Sequence, residues 1–374
     1  MSDQSGTASY RDAGVDYDAL DAGKRLAMAK ALSTSSLLDA HGGRALDASR
    51  GEPAFVFELD GRSFAFVVEG LGTKSIIARQ VLEQQGVNRF GDVAYDTVAA
   101  IVNDLCCVGA LPLVVNAYFA TGASEWYAVA ERSAALLEGW RQACADAGCA
   151  WGGGESPSLP GLLDEREIEL AGAAVGVLPN GRAPILGQDL APGDEIVLVS
   201  SSGLHANGAS LARLIAERLP DGYATVLADG TTFGEALLAP SLMYAPLVAA
   251  VLRAELPLSY VSHVTGHGLL KLMRPSRALT YRIEHLPPTP PVLAFLVEQA
   301  GLAPHAAYST FNMGAGFALY CAAGAGEEII GVARELGLPA LLAGHVEEGP
   351  RRVIVEPVGV CFEGDELELS AGQG

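Results

Sequence analysis

Glycine limits what this chain can fold into. It fills 44 of 374 positions and sits between apolar runs with no collagen-like period. So much backbone without side chains implies many tight turns and close approaches, the pattern of short strands and helices joined by sharp loops. The clearest instance is Asp60-Gly61, flanked by Ala54-Phe55-Val56-Phe57-Glu58-Leu59 and Ser63-Phe64-Ala65-Phe66-Val67-Val68. Asp-Gly tolerates left-handed φ at both central positions of a two-residue turn, so a β-hairpin is expected there.

Residues 1–18 are polar and Gly/Ser-rich, and a helix is expected over roughly 20–38. After the hairpin, apolar periodicity predicts helices over 75–85 and 95–108, a strand over 113–119, a helix over 125–147 and a strand over 168–177. Pro179-Asn180-Gly181 and Ala191-Pro192-Gly193-Asp194 then interrupt the pattern, which places a domain boundary in 179–193 and divides the chain into 1–185 and 186–374. The second half reads as strands over 195–200, 315–321, 340–344 and 353–356, with helices over 207–217, 237–253, 269–272 and 292–299. The acidic end from Glu363 onward is expected to fray. Together these make an α/β (α+β) chain with two sheet-plus-helix halves.

Composition excludes several function classes. The 24 Lys and Arg against 44 Asp and Glu leave a net charge of −20, the wrong sign for gripping nucleic-acid phosphates or acidic lipid. With 50% hydrophobic residues the chain is too apolar to be disordered. Its six cysteines show no CxxC spacing and read as buried thiols in a reducing compartment. The start, Met1-Ser2-Asp3-Gln4, has no basic stretch followed by an apolar one, and no apolar run has membrane-spanning length, so a soluble cytoplasmic protein is expected.

Five segments could carry chemistry. Glu69-Gly70-Leu71-Gly72-Thr73-Lys74 lies between a strand and a helix, where backbone amides and a helix N-terminus favour an anion and Lys74 could meet a phosphate. Taken alone it is equally a plain strand-to-helix turn. On the next helix Asp92 and Asp96 are i,i+4, Asp96 and Asn103 are two turns apart, and Asn103-Asp104 interrupt an apolar stretch. Such oxygen donors suit Mg²⁺, although a solvated acidic face would have the same spacing. In Trp151-Gly152-Gly153-Gly154-Glu155 three glycines describe a loop whose backbone comes close to something, with Glu155 presented there, although a structural turn would have the same composition. Ser201-Ser202-Gly203-Leu204-His205-Ala206-Asn207-Gly208 ends a strand and opens a helix, and Thr265-Gly266-His267-Gly268 and Thr310-Phe311-Asn312-Met313-Gly314 are further glycine turns.

Taken in order, with Ser9-Tyr10-Arg11-Asp12-Ala13-Gly14-Val15-Asp16 at the front, these segments resemble the aminoimidazole ribonucleotide synthetases, the phosphoribosylformylglycinamidine cyclo-ligases. The resemblance implies a two-domain cyclo-ligase-type fold. Its N-terminal domain forms a homodimer, and its C-terminal domain is a mixed sheet with helices. It implies ATP and Mg²⁺, with ATP-driven phosphorylation of an amide oxygen followed by ring closure. Carried over by motif, it assigns Arg11, Gly70, Gly72, Thr73, Lys74, Asn103, Gly153 and Gly154 to ATP. It assigns Glu69, Asp96, Asp104 and Glu155 to metal, Lys74, His205 and Asn207 to catalysis, and Ser202, Gly203, His267 and Asn312 to substrate.

The chain also departs from the family pattern. Glu69 stands where the family has Asp, Arg11 where it has Lys, Ser158 where it has a second acid, and His267 where it keeps glycine; only His41-Gly42-Gly43-Arg44 stands near a missing glycine-rich loop. These changes leave open a paralogue acting on another small molecule, or a nucleotide-binding pseudo-enzyme.

Overall fold

The computed structural model describes residues 17–367, so Arg11 and the arm around it lie outside the described residues. The elements run α1 (Tyr17–Leu32), β1 (Gly43–Leu46), β2 (Phe55–Leu59), β3 (Arg62–Gly70), α2 (Lys74–Gln85), α3 (Phe90–Cys106), β4 (Leu111–Thr121), α4 (Ala130–Ala147), β5 (Ala150–Glu155) and β6 (Ile168–Val177). The second half follows with β7 (Glu195–Ser200), α5 (Ala209–Arg218), α6 (Phe233–Leu237), α7 (Ala245–Arg253), β8 (Leu258–His263), β9 (Leu279–Ile283), α8 (Pro291–Ala300), α9 (Pro304–Thr310), β10 (Ala315–Cys321), α10 (Gly326–Glu335), β11 (Ala340–Glu348), β12 (Arg352–Val355) and β13 (Val360–Glu363).

The first six strands form one sheet in the order β1-β2-β3-β6-β4-β5, and the other seven form a second in the order β13-β12-β9-β11-β7-β10-β8. This is the mixed α/β architecture expected. The hairpin is present, with Leu59 opposite Arg62 and both turn residues, Asp60 and Gly61, at positive φ (49° and 74°). Helices α2, α3 and α4 cover one face of the first sheet. At the crossing of α3 and α4 a Cβ on Gly139 would run into the Gly91 carbonyl, so only glycine lets the two backbones meet.

Among the described residues the opposite face is apolar and left exposed. Phe66 and Val175 are direct cross-strand partners, as are Val68 and Ala173, and Tyr118 and Ala171. Phe66, Val68 and Tyr118 remain 41%, 63% and 38% exposed.

Three expectations change. Residues 150–155 form an edge strand parallel to β4, not a loop, with Gly153 opposite Asn116 and Gly154 opposite Ala117. A Cβ on Gly154 would collide with the Ala117 carbonyl, so what the glycine-rich backbone approaches is its neighbouring strand. The helix expected over 237–253 is split, with α6 ending at Leu237 and α7 starting at Ala245, because Pro240 cannot continue a hydrogen-bonded turn. The acidic end is fixed as far as it is described. Arg351 donates from Nη1 to the Gly364 carbonyl (2.7 Å) and from Nη2 to that of Leu367 (3.0 Å), and Leu367 is buried.

Candidate active site at the seam between the sheets

Two glycine turns, one from each half, converge on a cavity of about 560 Å³. The first links β3 to α2 and contributes Glu69, Gly70, Gly72 and Thr73; the second links β7 to α5 and contributes Asn207 and Gly208. The hydroxyls of Thr73 and Ser210, at the starts of the two helices, lie 3.0 Å apart. Two helix N-termini thus open onto one space, where unpaired backbone N–H groups and the helix dipoles favour an anion. Asp104 and His267 also line the cavity.

The remaining predicted residues divide into those that tie the halves together and those at the sheet edge. Lys74 does not line the cavity. It is fully buried, its Nζ 2.5 Å from Asp96 Oδ2, and it donates to the His205 carbonyl at 2.8 Å. Asp96 Oδ1 accepts the Ser241 N–H at 2.6 Å. Asn103 accepts the Tyr244 N–H at 2.8 Å and donates to the Leu242 carbonyl at 2.9 Å. Each polar group on this apolar part of the first half therefore satisfies a backbone group or charge of the second, as buried polar groups must.

Within the second half, Asn312 accepts from the Ser201 hydroxyl (2.8 Å) and the Gly314 N–H (2.9 Å), and donates to the Gly203 carbonyl (2.9 Å). Ser202 Oγ donates to the Pro240 carbonyl at 2.6 Å. His205 holds positive φ (59°) and accepts the Ser202 N–H at Nε2 (3.2 Å). Burial, then the nearby His263 and Lys74, hold its imidazole well below the usual histidine range, which favours the neutral ring. Ser202, Gly203, His205 and Asn312 thus brace the turn that presents Asn207. Gly153, Gly154 and Glu155 lie on exposed β5, and Glu155 accepts the N–H of its neighbour Ser156 at 2.9 Å.

The charged wall of the cavity was largely missed by sequence reading. Glu52, His263, Lys271 and Arg274 join Glu69 and Asp104 there. Asp104 Oδ1 is 2.6 Å from His263 Nδ1. Burial raises the Asp104 carboxyl, but the His263 hydrogen bond and charge, with Lys271 and Arg274, outweigh it and hold the group below its ordinary range. Glu69 goes the other way, pushed up to about 7 by burial and by Asp104, to which it is hydrogen-bonded. Lys271 is pulled down to about 8 by burial and by Arg274, against the pull of Asp104 and Glu69. Glu52, raised by burial, accepts from Tyr260 Oη at 2.8 Å and lies 3.8 Å from Arg274 Nε. One signal was available: Lys271 is a single cation in the apolar run Leu269-Leu270-Lys271-Leu272-Met273.

Comparison with known proteins agrees with this construction. The family model for the N-terminal domain of AIR synthase related proteins matches residues 51–178, and that for the C-terminal domain matches 191–356. The chain belongs to the AIR synthase family. It is 36% identical to the phosphoribosylformylglycinamidine cyclo-ligase of Anaeromyxobacter sp. (strain Fw109-5), over 94% of this chain and 99% of that protein. It is 35% identical to the cyclo-ligase of Paraburkholderia phymatum, over 93% and 95%. The hydrogenase maturation protein HypE, solved in complex with ATP, shares the fold at a TM-score of 0.55 and 17% identity, over 80% of this chain and 83% of that one.

The metal that an AIR synthase resemblance implies can be tested against these donors. Among the described residues no group of three or more His, Cys, Asp or Glu side chains is placed to hold a metal ion. Asp96 is engaged by Lys74, and Glu155 is at the sheet edge. The remaining pair, Glu69 and Asp104, is hydrogen-bonded together and faces Lys271 and Arg274. Mg²⁺ needs a near-octahedral set of oxygens with negative charge to spare, and this set does not fit it.

Proposed function

We propose that the chain, as a first domain over 1–185 and a second over 186–374, binds ATP between its halves and acts as a cyclo-ligase. The reaction converts formylglycinamidine ribonucleotide to aminoimidazole ribonucleotide. The observation that carries this reading is the convergence of two helix N-termini from separate halves on one cavity. ATP supplies the phosphoryl group that turns an amide oxygen into a leaving group. The protein's part is positioning and charge neutralisation. The Gly70-to-Thr73 turn and the start of α5 hold phosphate oxygens through backbone N–H groups, and Asn207 presents an amide toward the reacting groups. The buried ties Lys74–His205 and Asn103–Tyr244 keep the two turns in register.

His267 and Lys271 favour a second reading, because both place side chains on the cavity wall. A paralogue that phosphorylates a different small molecule would use them to select it. The uncovered apolar face of the first sheet supports a homodimer, since Phe66, Val68 and Tyr118 form a continuous patch that a second copy would bury. Light scattering should show a dimer that Val68→Lys converts to a monomer; a monomeric wild type overturns that part.

A coupled assay of ADP release with ATP and formylglycinamidine ribonucleotide tests the activity, with Asn207→Ala as control. Turnover that depends on the amidine and falls at least about tenfold in the variant supports the cyclo-ligase. A folded, ATP-binding protein with no turnover supports the paralogue.

A further inference from the structure

We propose that Lys271 is a built-in cation of the cavity, taking the place of a divalent metal beside Glu69 and Asp104 and binding the polyphosphate end of an anionic ligand. Only the choice of ATP as ligand rests on the reading above; the anion site itself rests on the geometry.

Lys271 lies in a short 3-10 segment, Gly268–Met273, directly after the Thr265-Gly266-His267-Gly268 turn. Its backbone is fixed by the Ser262 hydroxyl, which donates to the Lys271 carbonyl at 3.0 Å. Its neighbours Leu269, Leu270, Leu272 and Met273 are core residues, yet Lys271 itself lines the cavity. A cation so placed has a large desolvation cost unless something answers its charge.

The other charges of the wall are accounted for among the described residues. Asp104 is paired with His263 at 2.6 Å, and Glu52 with Arg274 at 3.8 Å. Glu69 is hydrogen-bonded to Asp104. Lys271 acts on Asp104 and Glu69 through charge alone, and it lines the cavity, so its charge is left for the cavity contents to answer.

The cavity contents are also what the two helix N-termini face. Three positive features therefore surround one space: the start of α2, the start of α5, and Lys271. A divalent metal between the two carboxylates would have to coexist with that ammonium, whereas an anion is attracted by all three. The chemical class is a polyphosphate, bound without metal.

Calorimetric titration of ATP into the wild-type protein, once in EDTA and once in excess Mg²⁺, tests this, with Lys271→Met, Lys271→Arg and Lys271→Glu alongside. Wild type should bind in EDTA within about threefold of its affinity in Mg²⁺, and Lys271→Met should weaken binding in EDTA by at least about tenfold. Lys271→Arg should retain binding, showing that the positive charge is what the site needs, and an unchanged thermal melt of Lys271→Met shows that its loss is not misfolding. Lys271→Glu adds a third acid to Glu69 and Asp104, so it should bind poorly in EDTA and recover in Mg²⁺.

Wild-type binding that appears only with Mg²⁺, or a Lys271→Met protein that binds like wild type, overturns the proposal while leaving the nucleotide reading intact. If ATP fails to bind in both buffers the nucleotide reading falls, and inorganic tripolyphosphate in EDTA then decides. Its binding, lost in Lys271→Met, sustains the anion site; no binding refutes it.

Discussion

Two polar clusters grow from the same stretch of chain and do opposite work. Lys74 and Asp96 are fully buried at 2.5 Å, and Asn103 satisfies two backbone groups of the second half. Next to Asn103 on α3, Asp104 opens with Glu69 onto a cavity where their protons are unevenly held and a third charge, Lys271, lines the space. Residue type does not separate the two clusters, since each contains a carboxylate and a lysine. The difference is whether every donor and acceptor is answered within the fold. A closed cluster holds the halves together, whereas an open one leaves charge for a ligand.

The comparison breaks first at Lys74. Removing one partner of a buried ion pair strands the other, so Lys74→Met should destabilise the protein by about 3–5 kcal/mol, read from urea denaturation. The double variant Lys74→Met with Asp96→Leu should recover part of that loss, because no lone charge remains. A Lys74→Met protein of wild-type stability that had lost ATP binding would instead place Lys74 in the open cluster. Next in size, Asn103→Leu leaves the Tyr244 N–H and the Leu242 carbonyl without partners and should cost about 1–3 kcal/mol for each group exposed to this loss. Ligand affinity should fall no further than the change in stability requires.

Much of the fold could be read from local pattern, and the site only in part. The Asp60-Gly61 hairpin, α2 and the strands β6, β7 and β10 follow from periodicity and turn chemistry. Strands β8 and β9 were missed because Leu258–His263 and Leu279–Ile283 mix polar groups into runs whose burial only the assembled sheet explains. The glycines of β5 look like a loop in the sequence because a close backbone approach does not announce its partner, which in the fold is β4. The apolar setting of Asn103 and Asp104 correctly signalled that both need partners. It could not say that Asn103 finds them in the protein while Asp104 shares the cavity wall. That distinction depends on contacts between residues more than a hundred positions apart, such as Asp104 with His263.

The smallest expected effect sharpens the comparison through pH. Glu69 is raised from 4.5 to about 7 in the folded protein by burial and by Asp104. The folded state therefore holds more protons than the unfolded one between those values, and this group's contribution to stability falls as pH rises through the window. Asp104 is lowered from 3.8, so its contribution is present above that value and lost only at more acid pH, outside the window. Comparing wild type with Glu69→Gln by thermal or urea denaturation from pH 4.5 to 7 isolates Glu69. The stability difference should shift in favour of the variant with a slope of at most about 1.4 kcal/mol per pH unit, and level off above about pH 7. A flat difference across the window would mean that Glu69 is ionised and already answered like Asp96, which would move it into the closed cluster beside Asp104, itself paired with His263, and leave Lys271 as the charge that faces the ligand.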